Sequence, residues 1–134
     1  MSASVATYRS INLGTAHPRN TLLRVYEVGI RSLAEAEEAL QRDQPFEEPL
    51  ARARTIVGGL MTSLDFAGEG SSIAENLLRV YLFAIGRIQS STLERRDTGL
   101  VEARRALETL RDGWAGASPT EVPAERPHRL HVRG

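Results

Sequence analysis

Four stretches of the chain repeat apolar side chains every three or four residues, the spacing that puts them on one face of an α-helix. In the first, Leu22, Tyr26, Gly29, Ile30, Leu33, Ala36 and Leu40 share a face. Pro18 suits the first turn, and Asp43-Gln44-Pro45 forms the break that should stop this helix near Arg42. Phe46, Leu50, Ala53, Val57, Leu60 and Leu64 make the second stripe, where Pro49 is tolerable only because it falls in or before the first turn. Asp65 to Gly70 interrupts the pattern, and Ser71 or Ser72 is expected to cap a third helix running to about Thr92. Asp97-Thr98 is expected to cap a fourth, in which Leu100, Leu107, Leu110 and Trp114 recur at near-heptad spacing. Amphipathic helices separated by short breaks predict an all-α fold, an antiparallel four-helix bundle over residues 18–116. Residues 1–17 read as an N-terminal arm or cap. Residues 117–134, punctuated by Pro119, Pro123 and Pro127 and poor in large apolar groups, read as a disordered tail.

The third helix carries more apolar surface than a bundle core can use. A core-facing helix needs an apolar stripe a little over about 100° wide, and the fourth helix, with Leu100, Ala103, Leu107, Leu110 and Trp114, stays near that. In the third, Ile73, Leu77, Val80, Ala84 and Ile88 form one stripe, while Ala74, Leu78, Tyr81, Leu82 and Ile85 widen it to roughly 200°. Phe83 lies outside even that arc. In the second helix Ile56 and Met61 fall at opposite edges of the stripe, and methionine is the adaptable kind of residue that binding surfaces favour. Two readings remain open from the periodicity alone: the third helix is the most central one, or it lines a groove that accepts an apolar helix from a partner.

Composition narrows the chemistry. The 134 residues balance 17 basic against 17 acidic side chains, which gives a nucleic-acid partner no support. All the basic residues are Arg, and there is no Cys, so Schiff-base lysines, thiol nucleophiles and thiolate metal sites are excluded together. His128 and His131 fall in the tail and His17 precedes a proline, leaving no set of rigidly held histidines for a metal or a triad. Glu35, Glu37, Glu38, Glu47, Glu48 and Glu102 read as solvated helix surface. Gly68-Glu69-Gly70 and Gly58-Gly59 lack the strand and the Lys-Ser/Thr pair of a phosphate loop, so the mid-helix Gly58-Gly59 reads as close packing or a soft spot. No cofactor and no enzymatic activity are expected. The N-terminus lacks the basic and apolar regions of a secretory signal, and the longest nearly apolar run, Val80 to Ile85, is far short of the roughly 20 residues that span a bilayer. A cytoplasmic protein without membrane insertion is the expectation.

The order of motifs resembles the flagellar secretion chaperone family, FliS, over about residues 5 to 115. Tyr8-Arg9-Ser10-Ile11 and Thr15-Ala16-His17-Pro18 resemble its N-terminal tyrosine segment and Thr-Ala-Ser-Pro helix start, and Val25-Tyr26-Glu27 stands where the family has Leu-Tyr-Asp. Ile56-Val57, Leu60-Met61 and Ser63-Leu64-Asp65 are similar to the end of its second helix. Ile73-Ala74-Glu75-Asn76-Leu77 with Val80-Tyr81 resembles its third-helix signature, and Leu107, Leu110 and Trp114 its closing pattern. The chain departs from the family at His17, Val28-Gly29, Ser72 and Gly59, positions that bear on local stability more than on function.

The resemblance implies a cytoplasmic chaperone whose bundle, with its N-terminal cap, binds the C-terminal region of flagellin, prevents premature polymerisation and helps present the subunit to the export apparatus. The candidate partner-binding residues are then Val5 and Tyr8 in the arm, with Ile56, Met61, Leu78, Leu82, Phe83 and Ile85 on the second and third helices. A monomer or weak homodimer is expected. The competing expectation is a homo-oligomeric structural or adaptor bundle that uses the same spare apolar surface on itself. If residues 117–134 dock nowhere, a chain ending at Ala117 melts within about 5 °C of the full chain, a margin of roughly 1 kcal/mol for a domain of this size. A larger drop in a thermal melt means that the tail packs.

Overall fold

The computed structural model describes residues 14–116, and the expectations for the first residues of the arm and for the tail lie outside that range. Four helices follow one another: α1 (Arg19–Gln41), α2 (Glu47–Thr62), α3 (Ser71–Glu94) and α4 (Thr98–Gly116), with a 3₁₀ turn, Gly68–Gly70, leading into α3. The short connections permit only reversals, and the chain forms the expected four-helix bundle. Each helix packs on its sequence neighbours, and α4 closes the ring on α1, so α1 and α3 stand diagonally opposite. Of the four seams, the one between α2 and α3 is the thinnest.

Several local expectations need correction. Neither Ser71 nor Ser72 caps α3: Gly70 holds the cap position without a side-chain bond, because the 3₁₀ turn winds straight into the helix. α3 also runs past Thr92 to Glu94, ending where Arg95 turns left-handed (φ 55°), and the Arg95 guanidinium lies over the Phe46 ring at 5.1 Å. Leu64 falls beyond α2 and is only half-buried. Tyr81 is fully buried where Val80 is not. Glu37 is no solvated carboxylate. It is buried, and Arg104 of α4 grips both its oxygens, with Nη2 to Oε1 at 3.1 Å, while also reaching Glu108 at 3.0 Å.

The core is centred on three aromatic side chains with polar tips. Trp114 donates its indole N–H to the Tyr26 hydroxyl at 3.0 Å, and the Tyr26 and Tyr81 hydroxyls share a 2.7 Å bond. All three side chains are withdrawn from water, so these bonds replace hydration that would otherwise be lost outright. The chain of bonds joins α4 to α1 and α1 to α3, across the diagonal that the helix backbones themselves do not bridge.

Two close approaches set the remaining geometry. A Cβ at Gly29 of α1 would stand 3.0 Å from Ile56 Cγ2 and 3.2 Å from Leu107 Cδ1, so the missing side chain lets α2 and α4 close on α1. At Gly99 a Cβ would overlap the Arg87 carbonyl oxygen and lie 2.5 Å from Ser91 Oγ. That Ser91 hydroxyl accepts the Leu100 N–H at 2.9 Å, so α3 itself satisfies an orphan donor in the first turn of α4. At the far end of α4, the Arg19 guanidinium donates to the Trp114 carbonyl at 2.9 and 2.6 Å and to that of Ala115 at 3.0 Å. A cation thereby covers a helix C-terminus, where it is electrostatically favoured.

The aromatic chain makes the fold sensitive to alkali. Burial raises the Tyr26 phenol to about 12, against the smaller opposing effects of its bonds to Tyr81 and Trp114, and burial likewise holds Tyr81 well above its ordinary value. Both groups favour the protonated form in the folded chain. Their contribution is therefore complete below about pH 10 and is lost as pH rises toward 12, by on the order of 3 kcal/mol for Tyr26. We expect helicity, followed by circular dichroism, to collapse within that window in step with the growth of tyrosinate absorbance. Ionisation of all three tyrosines with the helices intact would contradict this.

Candidate functional site

Each helix's neighbours fix which way its side chains point. On α3, Arg87 pairs with Glu102 of α4 and its carbonyl abuts Gly99, so that flank faces α4. At about 100° per residue, Leu78 and Ile85 project from the opposite flank, toward α2. On α2, Ile56 packs against Gly29 of α1, and Met61, at the other edge of the buried stripe, is turned toward α3. Met61, Leu78 and Ile85 are all half-buried, and their directions turn them toward the thin α2–α3 seam. Leu82 stands about 40° further out than Leu78 and is 51% exposed. Leu93, eleven residues on and on nearly the same line, is 83% exposed.

Apolar side chains therefore border this seam, half-buried Met61, Leu78 and Ile85 nearest to it and exposed Leu82 and Leu93 on the outer side of α3, and together they are the candidate groove. Four of the candidate residues, Met61, Leu78, Leu82 and Ile85, lie on the sides of α2 and α3 that border this seam. Ile56 instead lies in the α1–α2 seam, Phe83 (47% exposed) stands on the α4-facing shoulder of α3 beside half-buried Val80, and Val5 and Tyr8 fall outside the described residues. Two exposed apolar residues were missed by sequence reading. Leu93 continues the Leu78 and Leu82 line and is visible once the helix is allowed to pass Thr92. Phe66, 48% exposed, sits in the α2–α3 loop, where periodicity offers no signal.

The segment before α1 is anchored at one end of the groove. Thr15 and Leu64 form an antiparallel bridge in which the Ala16 N–H donates to the Ser63 carbonyl at 2.7 Å and the Asp65 N–H to that of Gly14 at 2.8 Å. The Thr15 hydroxyl adds a bond to the Ser63 carbonyl at 3.2 Å. Gly14 sits at φ 74°, and a Cβ there would come within 2.8 Å of the Ala74 amide nitrogen, so both dihedral and space call for glycine. The chain thus joins the bundle between the α2–α3 loop and the first turn of α3. At the other end of the seam stands the contact of Arg95 with Phe46.

Chemically, the groove offers apolar contact with a mixed-charge margin. Glu47 and Arg54 flank it from α2 and Glu75 from α3, while Arg79, held by Asn76 at 2.8 Å, lies on the outer crest of α3. Among the described residues no three His, Asp or Glu side chains are grouped so as to hold a metal ion, and no helix is long and apolar enough to cross a membrane. What such a surface does best is bury another apolar surface.

Comparison with known proteins agrees with the motif order. The family model of flagellar protein FliS matches residues 1–121. The chain is also 30% identical over 105 residues to the flagellar secretion chaperone FliSB of Pseudomonas aeruginosa, an alignment that covers 77% of this chain and 82% of the relative.

Proposed function

Since the chain belongs to the flagellar protein FliS family, we propose that it is a cytoplasmic export chaperone that binds the C-terminal region of flagellin and has no enzymatic activity of its own. By covering that region it prevents premature polymerisation, and it helps present the bound subunit to the export apparatus. The observation that carries this reading is the exposure of Leu82 and Leu93 along one side of α3, continuing half-buried Leu78, apolar surface that the bundle leaves at least partly in water. Fully burying one such leucine is worth about 1.5–3 kcal/mol, so a partner helix laid along the line gains a useful fraction of a binding free energy.

Leu82→Glu tests the groove. Because the side chain already stands half in water, the variant should fold and melt within about 5 °C of wild type, while its complex with the C-terminal segment of flagellin is lost. The same substitution at buried Leu77 should unfold the domain or cost several kcal/mol. Co-purification with flagellin, with and without its C-terminal segment, reads binding, and thermal melts read folding. An unfolded Leu82→Glu protein, or one that binds normally, puts the groove in the wrong place.

The arm belongs to the same proposal. Its continuation at Gly14–Ala16 is pinned to Ser63 and Asp65 at the end of α2, which supports a role for the arm beside the seam. Replacing both by Ala should change the affinity for the flagellin segment at least about fivefold, with the melting temperature nearly unchanged. Titration calorimetry distinguishes a competing cap, whose loss tightens binding, from a clasp, whose loss weakens it. An affinity equal to wild type removes the arm from the site.

A further inference from the structure

The short segment from Gly14 to Arg19, which leads into α1, touches all three other helices at one end of the bundle. Toward α2 and α3, the Ala16 N–H donates to the Ser63 carbonyl at 2.7 Å and the Asp65 N–H to the Gly14 carbonyl at 2.8 Å, while the Thr15 hydroxyl reaches the Ser63 carbonyl at 3.2 Å and stands 3.3 Å from the Ser63 hydroxyl. Gly14 is seated so closely on the first turn of α3 that a Cβ would stand 2.8 Å from the Ala74 nitrogen and 3.1 Å from the Gly70 carbonyl oxygen. Toward α4, the Arg19 guanidinium donates to the Trp114 and Ala115 carbonyls.

The two sides of this segment differ in what else holds them. α4 is fastened to α1 by Arg104 on Glu37 and Arg111 on Glu27, so the Arg19 bonds reinforce a seam that is closed without them. Between α2 and α3 the helices meet least, and among the described residues no ion pair joins them. The connection from Ser63 to Gly70 is bonded instead to the segment before α1. A region opens locally according to the contacts that hold it, and here those contacts come from a third part of the chain.

We propose that Gly14–Ala16 is a latch on the α2–α3 seam. Seated, it closes this end of the bundle; lifted, it lets the end of α2, the connecting loop and the first turns of α3 move apart while α1 and α4 stay joined. Met61 lies in the last turn of α2 and Leu78 about two turns into α3, so the latch governs access to both. Glycine suits the catch: at φ 74° a side chain is strained, and a Cβ has no room beside Ala74, so any other residue unseats it. On the flagellin-binding reading the latch sets how readily the seam admits a client, but neither the latch nor its test depends on that reading.

Native-state hydrogen exchange on the full chain tests the latch, with Gly14→Ala, Thr15→Val and Arg19→Gln made singly. In Gly14→Ala the amides from Ser63 to Asp65 and in the first two turns of α3 should exchange at least about tenfold faster than in wild type, while those of α1 and α4 stay within about twofold. Thr15→Val removes only the hydroxyl bonds and should do the same on a smaller scale, at least about threefold, which settles the matter if Gly14→Ala does not fold. Arg19→Gln should speed exchange in the last turn of α4 and leave the α2–α3 end as it is. The chain has no cysteine, so Met61→Cys adds a single thiol, whose reaction with a maleimide should quicken when Gly14→Ala is added. Exchange that rises alike in all four helices would mean that the substitutions lower global stability and nothing more. Exchange and thiol reactivity equal to wild type would mean that α2 and α3 hold their own seam closed. Either result overturns the latch.

Discussion

The hydrogen bond between the Tyr26 and Tyr81 hydroxyls, 2.7 Å long and sealed from water, is the constraint on which the rest of the molecule turns. Two phenols buried without partners would each cost a few kcal/mol, so neither can leave the contact cheaply. The bond therefore fixes not only that α3 packs opposite α1 but how α3 is rolled about its own axis. With Tyr81 directed inward, Leu82 is carried about 100° away from it and must face solvent. Rolling the helix to bury Leu82 would draw Tyr81 out, break its bond and leave Tyr26 with the Trp114 indole alone. Apolar surface on α3 is thus the consequence of a polar contact in the core.

The seams divide along the same logic. α4 is fastened along its length, to α3 through Gly99, Ser91 and the Arg87–Glu102 pair, and to α1 through Arg104 on Glu37 and Arg19 on the last carbonyls. α1 meets α2 closely at Gly29, and Arg52 of α2 pairs with Glu35 of α1 at 2.9 Å. Between α2 and α3 the fastening is at the ends: the Arg95 guanidinium over Phe46 at one, the Thr15–Leu64 bridge beside the connecting loop at the other. The thinnest of the four seams is where a third element could be accepted at least loss to the bundle. The mechanical weakness and the unused apolar stripe occupy one place.

How far this could be read beforehand depends on the kind of signal. Helix limits were legible where Pro18 and Pro45 act through their own backbone chemistry, and those signals are local, whereas the Asp97 carboxylate accepts from Gln41 and the first turn of α4 is satisfied by Ser91 of another helix. The stripe on α3 was legible as an excess but not as a direction. Val80 and Tyr81 both lie within its arc, and periodicity has no means of preferring one; the choice is made by hydroxyl bonding to a residue 55 positions away. Glu37 was misread for the same reason, since a carboxylate at the edge of a polar face looks solvated until Arg104, 67 positions along, closes on it. The residues that carry the family resemblance fare better once folded. Tyr26, Tyr81 and Trp114 meet in the core, and the segments around Thr15 and Ser63 bond to each other, so motifs scattered along the chain prove to be the two ends of single contacts.

A groove of half-exposed side chains is a different physical object from a pocket. Met61, Leu78 and Ile85 have already given up part of their surface to the bundle, so a partner gains only the remainder at each. Strong binding on such terms has to come from length, many partial burials along an extended contact, rather than from one deep anchor. For the proposed role that is an advantage. A client held by many weak contacts can be taken off end first, each step breaking only one or two of them, whereas a client held by a single deep anchor must surmount the whole barrier at once. On the proposed reading, a surface that keeps an aggregation-prone segment covered would then also be one from which an export machine could strip it.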